Sequence, residues 1–226
     1  MGKLFLVRHG QASFGAADYD NLSELGRKQA LRLGEYFRDN ELSFDTVFTG
    51  TLRRHTQTWA GINEGMHGTS AAVPTFARAG LNEYDPVAII SAIHPEPLAH
   101  PETPEAVRRH FRLLRDGLVA WMQGKSAPHG MSSYPDFLAG VTAMLDEIRN
   151  EHFGQNVLIA SSGGPISSAV GYILGARHEG IIDLNLRIRN SSISEIAFTP
   201  KRHSLITYNT LPHLEGKAFA DWVTYA

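Results

Sequence analysis

Apolar residues occur in short runs that alternate with stretches of helical spacing. Residues 4–7 form a continuous apolar run that ends at Arg8 and His9, which is typical of a buried strand in a parallel sheet. Ser23 is a suitable N-cap for a helix whose apolar residues share one face as far as Asn40. Residues 44–48 are predicted to form a second strand, which ends at Thr49 and Gly50. This order of strand, helix and strand predicts a parallel, doubly wound sheet.

The next part of the chain is predicted to contain a helix, an irregular segment, a turn and a long helix. Thr51 is predicted to cap a second helix, and the glycine-rich residues 61–74 are expected to be irregular. Residues 81–86 form a turn, because Pro86 disfavours helical backbone at the residue before it. Thr103 and Pro104 open a long amphipathic helix, with proline in a first-turn position that tolerates it.

The last part of the chain adds a second amphipathic helix, another strand and a hairpin. Residues 157–160 are the next buried strand, residues 193–198 and 205–208 are a terminal hairpin, and the tail folds back over the body. The prediction is an α/β fold of three layers, α/β/α, with a mostly parallel central sheet. It forms one domain over residues 1–226, with a helical insertion over about residues 100–152 packed on the carboxyl edge of the sheet.

Composition narrows the function classes. The 226 residues are 42% hydrophobic and carry a formal net charge of −2, which gives no basic footprint for nucleic acid. Cysteine is absent, which excludes a disulfide scaffold and a thiolate nucleophile and fits a reducing cytoplasm. No apolar run approaches the roughly 20 residues of a membrane helix. We therefore expect a cytoplasmic protein without a membrane partner, whose sheet edges and hairpin offer surfaces for a homodimer.

Polar residues follow three of the predicted strands. Arg8 and His9 follow the first, Arg53 and Arg54 the second, and residues 161–164 form a glycine-rich turn after the third. Carboxyl ends of strands in open α/β sheets are where ligands bind, and a glycine-rich strand-to-helix turn presents N–H groups to an anion. Arginines, an imidazole and such a turn form a cradle for a phosphoryl group. Glu83 is the carboxyl group that can supply an acid for the leaving oxygen.

Several of these segments, in order, are similar to motifs of one family. They are Arg8-His9-Gly10 after its strand, residues 22–30, residues 49–58, Leu81-Asn82-Glu83-Tyr84 and residues 209–214. The chain resembles the histidine phosphatase superfamily, in the branch that contains the phosphoglycerate mutases. The resemblance is densest over residues 3–60 and sparser at 81–86 and 156–166.

The resemblance implies a mechanism and a site. His9 would attack phosphorus and become phosphohistidine, and Glu83 would protonate the leaving alcohol. Arg8 and Arg54 would hold the phosphoryl oxygens of a small phosphorylated substrate, together with Ser162 and Gly163 of the last loop. Gln11, Arg53 and His213 would support these groups from behind. The resemblance implies no metal or cofactor, because arginines and amides take the place of a cation.

One position departs from the family's pattern. The family normally has a second histidine just before the two glycines of the last loop, where this chain has Ser162. Serine donates one hydrogen bond and carries no charge at neutral pH. Exchanging a charge-assisted bond of about 1.5–3 kcal/mol for a neutral one of about 1 kcal/mol slows turnover without abolishing it. The prediction is therefore a phosphomonoester hydrolase that is slow or acts on an unusual substrate.

Three alternatives remain open at this stage. One is phosphoryl transfer of the phosphoglycerate mutase type, in which a second substrate oxygen replaces water. Another is a catalytically weak phosphate-binding or regulatory protein, disabled by Ser162. The third is a serine hydrolase, with Ser162 at a strand-to-helix turn followed by Asp183 and His213 in the order of a catalytic triad.

Overall fold

The computed structural model describes residues 1–13, 20–68, 73–96, 98 and 103–225. The strands are β1 (Gly2–Arg8), β2 (Thr46–Thr49), β3 (Thr75–Ala77), β4 (Asn156–Ser161), β5 (Ile193–Thr199) and β6 (Arg202–Thr210). The α-helices are α1 (Glu24–Asp39), α2 (Arg53–His67), α3 (Pro86–Ser91), α4 (Pro104–Met122), α5 (Tyr134–Glu151), α6 (Gly163–Leu174) and α7 (His178–Arg187).

The six strands form one mixed sheet in the order β3-β2-β4-β1-β5-β6. The strands β3, β2, β4 and β1 run parallel to one another. The hairpin of β5 and β6 extends the sheet at β1, with β5 antiparallel to both β1 and β6. This confirms the predicted α/β fold with its mostly parallel sheet. Both predicted strands of the terminal hairpin are present.

Helices cover both faces of the sheet because side chains along β1 alternate between them. Leu4 and Leu6 pack in one apolar cluster with residues of α5 and α6. Phe5 and Val7 pack in a second cluster, with residues of α1 and α2. A strand that is buried on both faces reads as a continuous apolar run, as residues 4–7 do. The three layers of the prediction are confirmed.

Local signals at helix ends had mixed outcomes. Ser23 Oγ accepts from Gly26 N–H at 3.0 Å and caps α1 as predicted, and Thr103 caps α4. The prediction that Thr51 caps α2 is wrong, because the helix begins at Arg53 without a side-chain cap. The Thr51 hydroxyl instead accepts from Asn82 Nδ2 at 2.7 Å, while Thr51 N–H donates to Asn82 Oδ1 at 2.7 Å. These bonds tie the start of α2 to the turn that carries Glu83.

The prediction of irregular structure over residues 61–74 is wrong for residues 61–67, which continue α2. Glycine there serves helix packing. A Cβ at Gly65 would lie 2.2 Å from the Leu31 carbonyl oxygen, and a Cβ at Gly34 would lie 2.1 Å from that of Ile62. The glycines therefore let α1 and α2 approach backbone to backbone. Residues 69–72 lie outside the described residues.

The two predicted helices of the 100–152 segment are present as α4 and α5. Val141, Met144 and Ile148 of α5 pack against the sheet, so this helix covers a face of the sheet rather than its rim. Leu118 and Trp121 of α4 pack with residues of α3 and α7, two helices the sequence did not predict. Residues 100–102 lie outside the described part of the chain. In the described ranges, no helix is long and apolar enough to cross a bilayer.

The tail folds back over α1, as predicted. Gln29 Nε2 donates to the Trp222 carbonyl at 2.7 Å, and Gln29 Oε1 accepts from Gln11 N–H at 2.8 Å. One buried side chain thus joins the tail to the loop after β1.

Gly10→Ala tests the close approach of that loop to α1. A Cβ at Gly10 would lie 2.3 Å from the Gly26 carbonyl oxygen, and backbone cannot rotate away as a flexible side chain can. We expect a loss of about 1–3 kcal/mol in the free energy of unfolding, measured by urea titration.

Gly180→Ala is the matched control. Gly180 lies in α7, and its added Cβ would lie 3.7 Å from Ala176 Cβ, which is an ordinary van der Waals contact. Alanine in a helix is favoured over glycine by about 0.5–1 kcal/mol, so this variant should unfold at higher urea. Equal midpoints for Gly10→Ala and the wild type would contradict the packing described here.

Candidate active site

The strand register brings three loops to one edge of the sheet. Arg8 pairs with Ser161 across β1 and β4, and Thr49 pairs with Ala160 across β2 and β4. His9 N–H continues the first ladder by donating to the Ser161 carbonyl at 2.8 Å. The residues that follow the three strands therefore emerge side by side, as the order of elements predicted.

His9 is almost completely buried, and its ring is fixed in one tautomer. Nδ1 lies 2.7 Å from the Gly10 carbonyl oxygen, which can only accept, so Nδ1 carries the proton and Nε2 carries the lone pair. The His9 carbonyl accepts from Ser191 N–H at 3.1 Å and Asn190 Nδ2 at 3.3 Å. Burial, followed by the charges of Arg8 and Arg54, lowers the pKa of His9 well below its usual value. The ring is therefore a neutral imidazole with an available nitrogen nucleophile.

Two guanidinium groups act on this imidazole. Arg54 is buried in the first turn of α2, and its Nη1 lies 2.7 Å from Asp20 Oδ1. Arg8 Nη1 donates to the Tyr225 carbonyl at 2.7 Å and to that of Ile188 at 2.5 Å. Both positive charges lower the pKa of His9. Opposing carbonyl and carboxylate groups thus hold two cations beside one neutral ring.

Glu83 lies at the N-terminus of α6. Gly164 N–H donates to both carboxyl oxygens of Glu83 at 3.1 Å. A Cβ at Gly164 would lie 2.1 Å from Glu83 Oε1, so only glycine fits there. Burial raises the pKa of Glu83, although the Gly164 amide and the charges of Arg54 and Arg8 oppose the shift. A carboxyl group with a raised pKa suits a general acid.

The last loop presents Ser162 and Gly163 at the start of α6. Ser162 is fully buried and is the N-cap residue, and Gly163 is the first helical residue. Ser162 Oγ lies 2.6 Å from Nε2 of His55, which is itself completely buried on α2. No role for His55 was predicted from the sequence. No local signal marks it, because its partner lies 107 residues away in the chain.

The three predicted supporting residues lie around this group at different distances. Gln11 Oε1 accepts from Ser23 Oγ at 2.8 Å, and Arg53 Nη2 donates to Asn21 Oδ1 at 2.8 Å on the surface. His213 is buried, with Nε2 2.9 Å from the Ser191 hydroxyl, on the side of the His9 main chain. Burial lowers the pKa of His213 to about 3. Their supporting roles stay predictions.

The arrangement does not form the triad of a serine hydrolase. Asp183 is exposed on α7 and pairs with Arg115 at 2.6 Å, while His213 bonds Ser191. Neither bond leads to Ser162, which is fully buried. The expectation that Asp183 and His213 would serve Ser162 is wrong, because chain order alone does not bring the three side chains together.

Comparison with known proteins agrees with this geometry. The sequence profile of the Histidine phosphatase superfamily (branch 1) matches residues 4–211. The chain belongs to this superfamily.

Its relatives within the histidine phosphatase superfamily include hydrolases and mutases. A broad-specificity phosphatase of Saccharomyces cerevisiae is 32% identical over 193 residues, which cover 78% of this chain and 72% of that protein. A 2,3-bisphosphoglycerate-dependent phosphoglycerate mutase of Hamiltonella defensa is 26% identical over 206 residues, covering 81% and 82%. The phosphoglycerate mutase structure of Bacillus anthracis superposes with a TM-score of 0.66 at 18% identity, covering 93% and 94%. As a member of this superfamily, the chain is an enzyme of phosphoryl hydrolysis or transfer.

Glu83→Gln tests the raised pKa of the Glu83 carboxyl group. In the folded state, the pKa of Glu83 is raised above its ordinary value of 4.5. The wild type therefore loses stability as pH rises through the folded value, because the buried carboxyl must ionise. The variant should lack this loss, so the difference in free energy of unfolding should favour it increasingly from pH 4.5 to pH 7.

Glu24→Gln is the control for the sign of this effect. Glu24 is exposed and bonds Lys28 at 2.7 Å, which lowers the pKa of Glu24. The contribution of Glu24 is present above its ordinary pKa and is lost as pH falls, which is the opposite direction. Parallel pH profiles for Glu83→Gln and the wild type would refute the buried acid.

Proposed function

We propose that this enzyme is a phosphomonoester hydrolase that acts through a phosphohistidine intermediate on a small phosphorylated substrate. One observation carries the proposal. A neutral imidazole with its lone pair on Nε2 and a carboxyl group of raised pKa experience the field of the same two arginines. This combination supplies a nucleophile, an acid and a positively charged environment for a dianion.

The first half of the reaction transfers the phosphoryl group to the protein. The His9 Nε2 lone pair attacks phosphorus, a P–N bond forms, and the bond from phosphorus to the ester oxygen breaks. Glu83 gives its proton to the departing oxygen, which leaves as an alcohol. The Gly10 carbonyl, which accepts from Nδ1, stabilises the positive charge that develops on the ring. Arg8, Arg54, Ser162 and the Gly163 amide bind the equatorial oxygens.

The second half releases phosphate. Glu83, now a carboxylate, takes a proton from water as the water oxygen attacks phosphorus. The P–N bond breaks, the electron pair returns to His9 Nε2, and inorganic phosphate leaves. Both groups are then in their starting protonation states, so the cycle is closed.

Hydrolysis is preferred here over mutase chemistry because of the relatives and of the chain itself. The broad-specificity phosphatase of Saccharomyces cerevisiae is 32% identical over its matched residues, against 26% for the Hamiltonella defensa mutase. A mutase also needs extra cations to retain a bisphosphorylated intermediate, and the sequence offers no clear set of them in the 100–152 segment.

The test is hydrolysis of p-nitrophenyl phosphate by the wild type and by His9→Ala. We expect the variant to lose at least about a thousandfold in kcat/KM, because the nucleophile is gone. Quenching the wild type during turnover in alkali should trap phosphohistidine at His9, detected by mass spectrometry. The control is His129→Ala, an exposed loop histidine, which should leave the rate unchanged.

Other outcomes separate the competing functions. Conversion of 3-phosphoglycerate to 2-phosphoglycerate in the presence of 2,3-bisphosphoglycerate, faster than phosphate release, would identify a mutase. Binding of inorganic phosphate without turnover of any phosphomonoester would identify a phosphate-binding protein. Unchanged hydrolysis by His9→Ala would remove His9 from the nucleophile role.

A further inference from the structure

His55 of α2 brings a second imidazole into the candidate active site, next to the predicted Arg54. Its ring centroid lies 5.9 Å from that of His9, with the planes 36° apart. It follows Arg54 directly on α2, and Nε2 lies 2.6 Å from Ser162 Oγ in the last loop. One completely buried histidine thus joins the loop after β2 to the loop after β4.

The ring is enclosed on two sides. Ser162 Oγ contacts Nε2, and a Cβ at Gly50 would lie 2.1 Å from Nδ1. A side chain at position 162 that was longer than serine and kept the direction of Ser162 Oγ would meet the His55 ring. Ser162, which departs from the family's pattern, and His55, which was not predicted, therefore pack directly against each other.

Hydrogen bonding favours one tautomer of His55. Among the residues that the structure describes, Nδ1 has no hydrogen-bond partner. A buried N–H without an acceptor is less favourable than an unpaired ring lone pair, so the proton belongs on Nε2, where it is donated to Ser162 Oγ. Burial and the charge of Arg54 lower the pKa of His55 to about 3, so the ring is neutral at pH 7.

We propose that His55 is a positioning residue for phosphate binding: its Nε2–H donates to Ser162 Oγ and so directs the Ser162 hydroxyl proton to a phosphoryl oxygen. Since Oγ already accepts from His55, its own proton is available to another acceptor. Ser162 is the N-cap residue of α6 and directly precedes Gly163, whose N–H the proposed function assigns to the same phosphoryl group. A neutral hydrogen-bond chain thus replaces the charged donor that the family resemblance placed at position 162. This inference rests on the proposed function of the site.

The experiment compares two substitutions of His55 with opposite chemistry. His55→Gln keeps an N–H donor at the position of Nε2, whereas His55→Leu keeps the volume and removes the donor. We expect His55→Leu to lower kcat/KM for p-nitrophenyl phosphate by about five- to tenfold and to weaken binding of inorganic phosphate by a similar factor. His55→Gln should stay within about threefold of the wild type. Equal losses in both variants would overturn the proposal.

Ser162→Ala completes a double-mutant cycle. If His55 acts through the serine hydroxyl, adding His55→Leu to Ser162→Ala produces no further loss of phosphate affinity. Losses that multiply would show that His55 acts independently of Ser162 and would refute the positioning role. Urea unfolding of all variants identifies a merely structural contact, which would shift the midpoint and leave the kinetics of the folded protein unchanged. Should His55→Leu not fold, His55→Asn takes its place, because its shorter amide does not reach Ser162.

The two readouts separate this inference from the proposed function. Calorimetric binding of inorganic phosphate needs no turnover, so non-additive losses of affinity in a protein without hydrolase activity would support the pair and reject the hydrolase. Turnover that depends on His9, combined with multiplicative effects at 55 and 162, would support the hydrolase and reject the pair.

Discussion

The electrostatic constraint at this site is the placement of two guanidinium groups beside an imidazole that has been removed from water. Arg8 and Arg54 disfavour protonation of His9, and burial acts in the same direction. The same charges oppose the raised pKa of Glu83, where burial prevails. The site therefore contains positive charge without a protonated base, which is the arrangement that a dianionic ligand complements. Arg8 is held in place by the carbonyl groups of Ile188 and Tyr225. Arg54 is held by the carboxylate of Asp20.

Close backbone packing makes this electrostatic arrangement precise. Gly10 lies against Gly26, and Gly164 against the Glu83 carboxyl group, with no space for a Cβ at either glycine. Thr58 Oγ1 accepts from Gly10 N–H at 3.1 Å and donates to the Arg54 carbonyl at 2.7 Å. The loop after β1 and the first turn of α2 thereby share one buried hydroxyl. Contacts of this kind fix rotamers and separations within tenths of an ångström, as reactions at phosphorus require.

The sequence predicted those features whose signals are local. An apolar run identifies β1, and Ser23 and Thr103 mark where α1 and α4 begin, because each cap bonds an N–H three residues on. The prediction of irregular structure at residues 61–67 was wrong because it rested on their glycines. Gly65 instead allows the close contact of α2 with α1, and this contact is visible only in the tertiary structure. His55 was missed for the same physical reason. Its hydrogen-bond partner, Ser162, is distant in the sequence. From the sequence alone, Ser162 indicated only that the second histidine of the family's pattern is missing.

The central position of β4 has a consequence for synthesis of the chain. β1 and β2 are not neighbours, and each pairs with β4. During synthesis both strands emerge long before β4. β2 can pair with β3, but β1 and the other edge of β2 have no parallel partner until β4 is made. Such non-local pairing slows folding and leaves nascent strands open to aggregation. Enzymatic competence therefore arrives late in translation, and chaperones that shield the early apolar segments should govern how much active protein a cell obtains.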